Sequence, residues 1–119
     1  MVASPPRALV VDDDRALRML IRVNLELDGF EVVEAATVDE AEAAVAAARP
    51  DAVLLDVHLG GSHTLNLLAK LRADRIPVAL VTGSVDVDDY RDSADAVLAK
   101  PFTPQDLIAM ARRLARVGA

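Results

Sequence analysis

The segment from Asp51 to Gly61, DAVLLDVHLGG, constrains the fold more than any other part of the chain. Its apolar run, Val53 to Leu55, is bounded by Pro50 and by a glycine pair, and it ends in a single carboxylate, Asp56. A short, uninterrupted apolar run of this kind is typical of a strand that is buried on both faces of a parallel sheet. Ligands bind at the carboxyl ends of strands in open α/β sheets, so Asp56 is the first candidate functional residue.

The rest of the chain alternates strand and helix patterns, which is typical of a parallel sheet built from βαβ units. We predict strands at Ala8 to Val11, Glu31 to Ala35, Val53 to Leu55, Val78 to Val81 and Ala96 to Ala99. We predict helices at Arg15 to Leu27, from Thr37 to about Ala48, at Leu65 to Leu71, and from Thr103 to about Val117. The short acidic segment Val85 to Ser93 is either one or two helical turns or mostly loop. The pattern predicts one domain, residues 1–119, with a frayed lead-in at residues 1–6.

Composition excludes several classes of function. The chain has no cysteine, which rules out a disulfide framework, a thiol nucleophile and a thiolate metal site. No apolar run approaches the roughly 18 residues of a membrane span, so we expect a cytoplasmic protein with no membrane contact. The net charge of -6 argues against direct nucleic-acid binding, which calls for clustered positive charge.

Five polar residues follow the predicted strands at their carboxyl ends. They are Asp12, Asp13, Asp56, Thr82 and Lys100. Because these strand ends meet at one edge of a parallel sheet, we expect the five side chains to converge. Three carboxylates within a few ångströms raise the proton affinity of at least one of them, unless a cation lies among them. Oxygen ligands of this kind favour Mg²⁺ over Ca²⁺, so the sequence predicts a magnesium site.

The remaining polar groups point to phosphoryl transfer. Lys100 is one of only two lysines beside 11 arginines, and its compact charge suits a single phosphate or carboxylate oxygen. Thr82 offers a hydroxyl donor next to Gly83. A carboxylate acceptor, a metal position, a hydroxyl and an ammonium group match phosphoryl transfer to Asp56. We interpret Asp14 as the cap of the first helix and not as a third ligand from this loop.

Four short motifs, taken in order, resemble a response-regulator receiver domain over essentially the whole chain. They are Val10 to Asp14, Leu54 to Asp56, Val81 to Gly83, and Lys100 to Phe102. The resemblance implies a flavodoxin-like (βα)5 three-layer sandwich with a five-stranded parallel sheet of order 2-1-3-4-5. It also implies a phosphorylation switch in two-component signalling and not a substrate-turning enzyme.

The resemblance further implies a role for each site residue. Asp56 would accept a phosphoryl group from a sensor histidine kinase or a phosphotransfer protein. Mg²⁺ would be held by Asp12, Asp13, Asp56 and the backbone carbonyl of His58. Thr82 would hydrogen-bond the phosphoryl group, Lys100 would neutralise another of its oxygens, and the Lys100-Pro101 peptide bond would be cis. The downstream protein partner is not identified, and a homodimer stays open.

The chain also departs from the family pattern in two regions. Gly60 stands where the family usually has a proline, and His63-Thr64 replaces an Asp-Gly pair that opens the third helix. The interval from Thr82 to Lys100 is about four residues short, and Val97 takes the place of the switch aromatic. These departures leave the phosphorylation chemistry in place and affect the route by which its signal would be transmitted.

Three other functions compete with this interpretation. The D-x-H-x-x-G pattern from Asp56 to Gly61 resembles that of cobalamin-binding domains, but here it follows the third strand and not the first. A haloacid-dehalogenase-like phosphatase needs a second aspartate two residues after the nucleophile, where this chain has His58. A receiver-like interaction module that works without phosphate is favoured by the short interval, whereas the complete set of site residues argues against it.

Overall fold

The structure is a computed structural model that describes residues 4–57, 59, 62–83 and 94–117. Its strands are β1 (Arg7–Val11), β2 (Glu31–Ala35), β3 (Ala52–Asp56), β4 (Val78–Gly83) and β5 (Ala96–Lys100). Its helices are α1 (Arg15–Leu27), α2 (Val38–Ala47), α3 (Ser62–Ala73) and α4 (Pro104–Val117). The predicted segment Val85 to Ser93 lies outside the described residues.

The five strands form one parallel sheet in the order β2-β1-β3-β4-β5, which confirms the predicted fold. β3 is central, and all five of its residues are buried. Successive side chains of a strand point to opposite faces. Leu54 accordingly packs in the cluster under α1 and α4, whereas Val53 and Leu55 pack in the cluster under α2 and α3. Coverage of both faces explains why the run in β3 is apolar without alternation.

The helix starts are set by local hydrogen bonds. Asp14 is the N-cap of α1, and its side chain accepts hydrogen bonds from the backbone N–H groups of Ala16 and Leu17. This confirms the prediction that Asp14 serves as a cap. Thr37 caps α2 by accepting from the Glu40 N–H group at 3.1 Å. The Glu40 carboxylate accepts from the N–H group of Ala36, one residue before the position expected in a capping box.

Several element boundaries differ from prediction, and two of the differences lie beside the polar residues at the strand ends. β4 continues through Thr82 to Gly83, because Thr82 and Gly83 pair with Ala99 and Lys100 of β5. α3 begins at Ser62, three residues before the predicted start at Leu65. The first turn of α3 is Ser62-His63-Thr64, and this polar stretch carries no apolar period that would signal a helix. The Lys100-Pro101 peptide bond is cis, as the resemblance implied.

The end of α1 depends on one glycine. The N–H group of Gly29 donates to the Glu26 carbonyl at 3.0 Å, and that of Phe30 donates to the Leu25 carbonyl at 3.0 Å. This pattern is a Schellman motif, whose C′ residue adopts the left-handed conformation. Gly29 has a φ of +98°, so the turn that leads into β2 requires a residue without a Cβ atom.

Gly29→Ala is expected to lower the free energy of unfolding by about 1–2 kcal/mol, because an L-residue is strained at this φ. Steric conflict does not contribute, since no described atom lies within 4 Å of the added methyl group. Urea denaturation measures the change. Gly83→Ala is the matched control, because its methyl group also meets open space among the described atoms and its φ is outside the left-handed region. Equal losses in the two variants would contradict the explanation.

Candidate functional site

The pairing of β1 with β3 creates the acidic part of the site. Val11 pairs with Leu55, so the residues that follow each of them, Asp12 and Asp56, lie beside each other at the same edge of the sheet. Asp12, Asp13 and Asp56 each offer a carboxylate oxygen, and these oxygens all lie within 4.8 Å of one another. Asp12 and Asp56 are buried, with exposures of 2% and 5%, whereas Asp13 is exposed. The predicted convergence of the three carboxylates is therefore present.

Asp12 is held in place by three hydrogen bonds. Its Oδ1 atom accepts from the N–H group of Asp14 at 2.8 Å. Its own N–H group donates to the carbonyl of Ala35 in the neighbouring strand at 3.1 Å, and its carbonyl accepts from the Arg18 guanidinium at 2.8 Å. These bonds fix both the backbone and the carboxylate at the end of β1. The position of Asp12 is thus determined by hydrogen bonds within the fold.

Burial and neighbouring negative charge change the protonation equilibrium of Asp12. Burial raises the pKa of its carboxyl group above the ordinary value, and repulsion from Asp56 and Asp13 acts in the same direction. The Asp14 N–H group and the Lys100 ammonium lower the pKa and offset part of the shift. A hard cation among these oxygens would relieve both the desolvation and the repulsion. The donor set, three carboxylates with no softer ligand among them, fits such an ion.

Thr82 lies on β4, the strand next to that of Asp56, and Lys100 lies on β5, the strand beyond β4. Asp56 pairs with Val81 of β4, and the next residue of that strand, Thr82, is completely buried. Lys100 is half-buried at the end of β5, paired with Gly83, and close enough to influence the pKa of Asp12. The predicted hydroxyl and ammonium groups therefore stand at the same edge of the sheet as the carboxylates. His58 lies outside the described residues, so its backbone carbonyl remains a prediction.

Sequence reasoning missed two residues that support the site. Arg18 of α1 donates to the Asp12 carbonyl and also forms an ion pair with Glu34 at 3.0 Å. Thr64 of α3 is 1% exposed, and its hydroxyl donates to the carbonyl of Leu59, three residues after Asp56. Both contacts are short in sequence, six residues from Asp12 to Arg18 and five from Leu59 to Thr64, but neither follows a capping or turn pattern that the sequence displays.

The family model for the response regulator receiver domain matches residues 8–112. The phosphate regulon transcriptional regulatory protein PhoB of Pseudomonas aeruginosa is 33% identical over 116 residues, which cover 91% of this chain and 51% of PhoB. The DNA-binding response regulator MtrA of Mycobacterium tuberculosis H37Rv is 36% identical over 111 residues, which cover 89% of this chain and 49% of MtrA. The chain thus spans about half the length of these two relatives.

Solved structures show the same similarity in three dimensions. The receiver domain of NtrX from Brucella abortus matches with a TM-score of 0.84 and 31% identity over 92% of this chain and 98% of that one. A CheY-like receiver domain protein from Methanospirillum hungatei matches with a TM-score of 0.84 and 30% identity, over 97% of both chains.

Within the described part of the chain, none of the helices combines the length and the apolar character needed to cross a bilayer.

Asp12→Asn is expected to raise the free energy of unfolding of the metal-free protein at pH 7 by about 1–2 kcal/mol. Two unit charges about 5 Å apart repel by about 3 kcal/mol at an effective dielectric constant of about 20, and Lys100 offsets part of this repulsion. The Asn side chain keeps the oxygen that accepts from the Asp14 N–H group. Denaturation in excess EDTA measures the change.

Asp13→Asn is the control for this prediction. Asp13 belongs to the same cluster but is exposed, so solvent screens its charge. Asp13→Asn should therefore raise the free energy of unfolding by less than about 0.5 kcal/mol. A loss of stability in Asp12→Asn, or an equal gain in both variants, would show that buried repulsion at Asp12 does not limit the stability of the metal-free fold.

Proposed function

We propose, on the premise that this chain belongs to the response regulator receiver domain family, that Asp56 is the phosphoryl acceptor of a two-component switch. The observation that carries the proposal is the position of Asp56 at the end of the fully buried strand β3. One of its oxygens lies within 4.8 Å of carboxylate oxygens of both Asp12 and Asp13. An acceptor in this position has its metal ligands already assembled.

The metal in this proposal is Mg²⁺, held by Asp12, Asp13, Asp56 and the backbone carbonyl of His58. When bound, it supplies positive charge that neutralises the carboxylates and the transferring phosphoryl oxygens. The raised pKa of Asp12 supports a cation at this point, because the ionised form is disfavoured when the protein's own groups are the only neighbours.

In the proposed reaction, an Asp56 carboxylate oxygen attacks the phosphorus atom of a phosphohistidine on a sensor histidine kinase or a phosphotransfer protein. The new P–O bond forms as the P–N bond breaks, and the departing imidazole nitrogen keeps the electron pair. Thr82 would donate its hydroxyl to one phosphoryl oxygen, and Lys100 would neutralise another. The registers Asp56 with Val81 and Gly83 with Lys100 support this assignment, because they place both groups on the strands nearest Asp56 on that side.

In this proposal the phosphorylated protein is itself the signal, and no product is released. Its output is a change in partner binding. A sensor kinase or phosphotransfer protein is the proposed phosphodonor in the cytoplasm, and a downstream protein or a second copy of the chain is the proposed recipient of the signal. DNA binding belongs to the name of MtrA, and this chain covers about half of that protein. Direct nucleic-acid contact by the present chain is not part of the proposal, since its net charge is -6.

An interaction module that works without phosphate is the second candidate. Val97 favours it, because this half-buried side chain in β5 stands where the family has a switch aromatic. An aliphatic residue has no ring to rotate between exposed and buried positions. The assembled carboxylates favour the phosphorylated switch, since a module that never binds phosphate or metal gains nothing from burying them together.

Asp56→Asn is expected to abolish Mg²⁺-dependent phosphorylation by acetyl phosphate, because the amide is a far weaker nucleophile than the carboxylate. Intact-mass spectrometry measures the fraction of protein that gains one phosphoryl group. The wild type should lose labelling in EDTA. Asp14→Asn is the matched control: the same chemical change falls on a nearby aspartate that caps α1, and asparagine is also an effective N-cap. This variant should label like the wild type.

Two results would count against the acceptor assignment. Labelling of Asp56→Asn to the wild-type extent would move the acceptor to another residue. A wild type that stays unlabelled at saturating Mg²⁺ and acetyl phosphate, while remaining folded, would leave the phosphate-independent interaction module as the better explanation.

A further inference from the structure

Thr64 occupies an unusual place for a polar side chain. It lies in the first turn of α3, is 1% exposed, and donates its hydroxyl to the backbone carbonyl of Leu59. The bond therefore crosses from the helix back to the loop that follows the acceptor strand. A buried hydroxyl is tolerated only with a hydrogen-bond partner, so the contact defines the local structure and is not incidental.

Leu59, the partner of Thr64, is fixed from three directions. Its side chain is 3% exposed and packs in the cluster under α2 and α3. Its N–H group donates to the carbonyl of Asp56 at 3.4 Å. Its carbonyl accepts from the Thr64 hydroxyl. Leu59 thus links the end of β3, which carries the acceptor, to the first turn of α3.

The segment between Leu59 and α3 is made of two glycines. Gly60 and Gly61 separate Leu59 from α3, and glycine loses more conformational freedom on folding than any other residue. The loop also lacks proline between Asp56 and Ser62. Threonine suits a restraining role beside this segment, since a β-branched side chain has few χ1 rotamers.

We propose that Thr64 is a positioning residue for Leu59 and, through Leu59, for Asp56, and that it thereby sets the affinity of the site for Mg²⁺. This inference rests on the proposed function, in which Asp56 is a metal ligand. Leu59 donates its N–H group to the Asp56 carbonyl, so the bond from Thr64 restrains a residue that contacts this ligand. Groups that orient metal ligands without touching the metal typically change metal affinity by about 10- to 100-fold when they are removed.

Thr64→Val tests the inference, because valine keeps the branched shape and lacks only the hydroxyl. The Mg²⁺ dissociation constant of the unphosphorylated protein, measured by calorimetric titration with the metal alone, is expected to rise about tenfold. Thr64→Ser retains the hydroxyl and should keep the dissociation constant within about threefold of the wild type, the usual scatter of such contributions. Thr64→Ala is a second hydroxyl-free variant, which tests the same expectation if the valine variant does not fold.

Ile76→Val separates positioning from general loss of stability. Ile76 is 2% exposed in the same core cluster, but it precedes β4 and so lies at the opposite end of the sheet from Asp56. Its truncation should lower the thermal midpoint without changing the Mg²⁺ dissociation constant. The inference is overturned if the hydroxyl-free variants bind Mg²⁺ like the wild type, or if Ile76→Val weakens Mg²⁺ binding as much as they do.

The two proposals fail in different ways. If the wild type is labelled at Asp56 while the hydroxyl-free variants bind Mg²⁺ with wild-type affinity, only the role of Thr64 is wrong. If the folded wild type neither binds Mg²⁺ nor accepts a phosphoryl group, the proposed function is wrong, and the positioning role of Thr64 is wrong with it.

Discussion

The close approach of two buried carboxylates, Asp12 and Asp56, is the constraint that organises this molecule. Asp12 directly follows β1 and Asp56 is the last residue of β3, and the side chains of both strands are almost entirely apolar. Neither carboxylate can therefore be moved into solvent without breaking the β1–β3 pairing. Their repulsion, about 3 kcal/mol at an effective dielectric constant of about 20, is comparable to what one large buried aliphatic side chain contributes. The core tolerates this cost because Leu9, Leu54, Leu55 and Leu80 are all buried around the same strands. The sheet therefore stabilises a site that is itself unfavourable.

The groups around Asp12 fix its position but add little to the free energy of unfolding of the protein. Arg18 donates to the Asp12 carbonyl and pairs with Glu34, and its side chain is only 15% exposed. Arg22 approaches the other Glu34 oxygen at 2.6 Å, and this hydrogen bond is the main reason why the pKa of Glu34 lies below its ordinary value. Glu34 is in β2, so these pairs join α1 to the edge strand beside β1. Ion pairs near a surface contribute little to the free energy of unfolding. The Arg18–Glu34 pair nevertheless orients α1 against the loop that carries Asp12 and Asp13.

The sequence predicted the sheet and the acidic edge well because both depend on patterns that are local or nearly so. The apolar run of β3, the caps at Asp14 and Thr37, and the glycine after α1 act within a few residues of their own position. The extension of β4 through Thr82 depends on pairing with β5, which lies more than ten residues further along the chain. The start of α3 was missed because its first turn is polar and carries no helical period. Sequence reasoning recovered the three clustered carboxylates of the candidate site, whereas the contacts made by Arg18 and Thr64 follow no capping or turn pattern in the sequence, although they span only six and five residues.

The contrast between the β1 side and the α3 side of the carboxylate cluster explains why a side-chain tether matters in this chain. On the β1 side, Asp12 is fixed by backbone and guanidinium hydrogen bonds within its own loop and to a neighbouring strand. On the α3 side, the chain must pass from Asp56 to the helix through two glycines, whose backbones contribute the least restraint. Asp56 accepts a hydrogen bond from the Leu59 N–H group, so its restraint on this side depends on how firmly Leu59 is held. Leu59 supplies one anchor through its buried side chain, but a side chain alone leaves the rotation of its peptide plane undetermined. The Thr64 hydroxyl fixes the direction of the Leu59 carbonyl. In the proposed role, Thr64 of α3 therefore restrains the chain after Asp56, just as Arg18 of α1 restrains the backbone of Asp12.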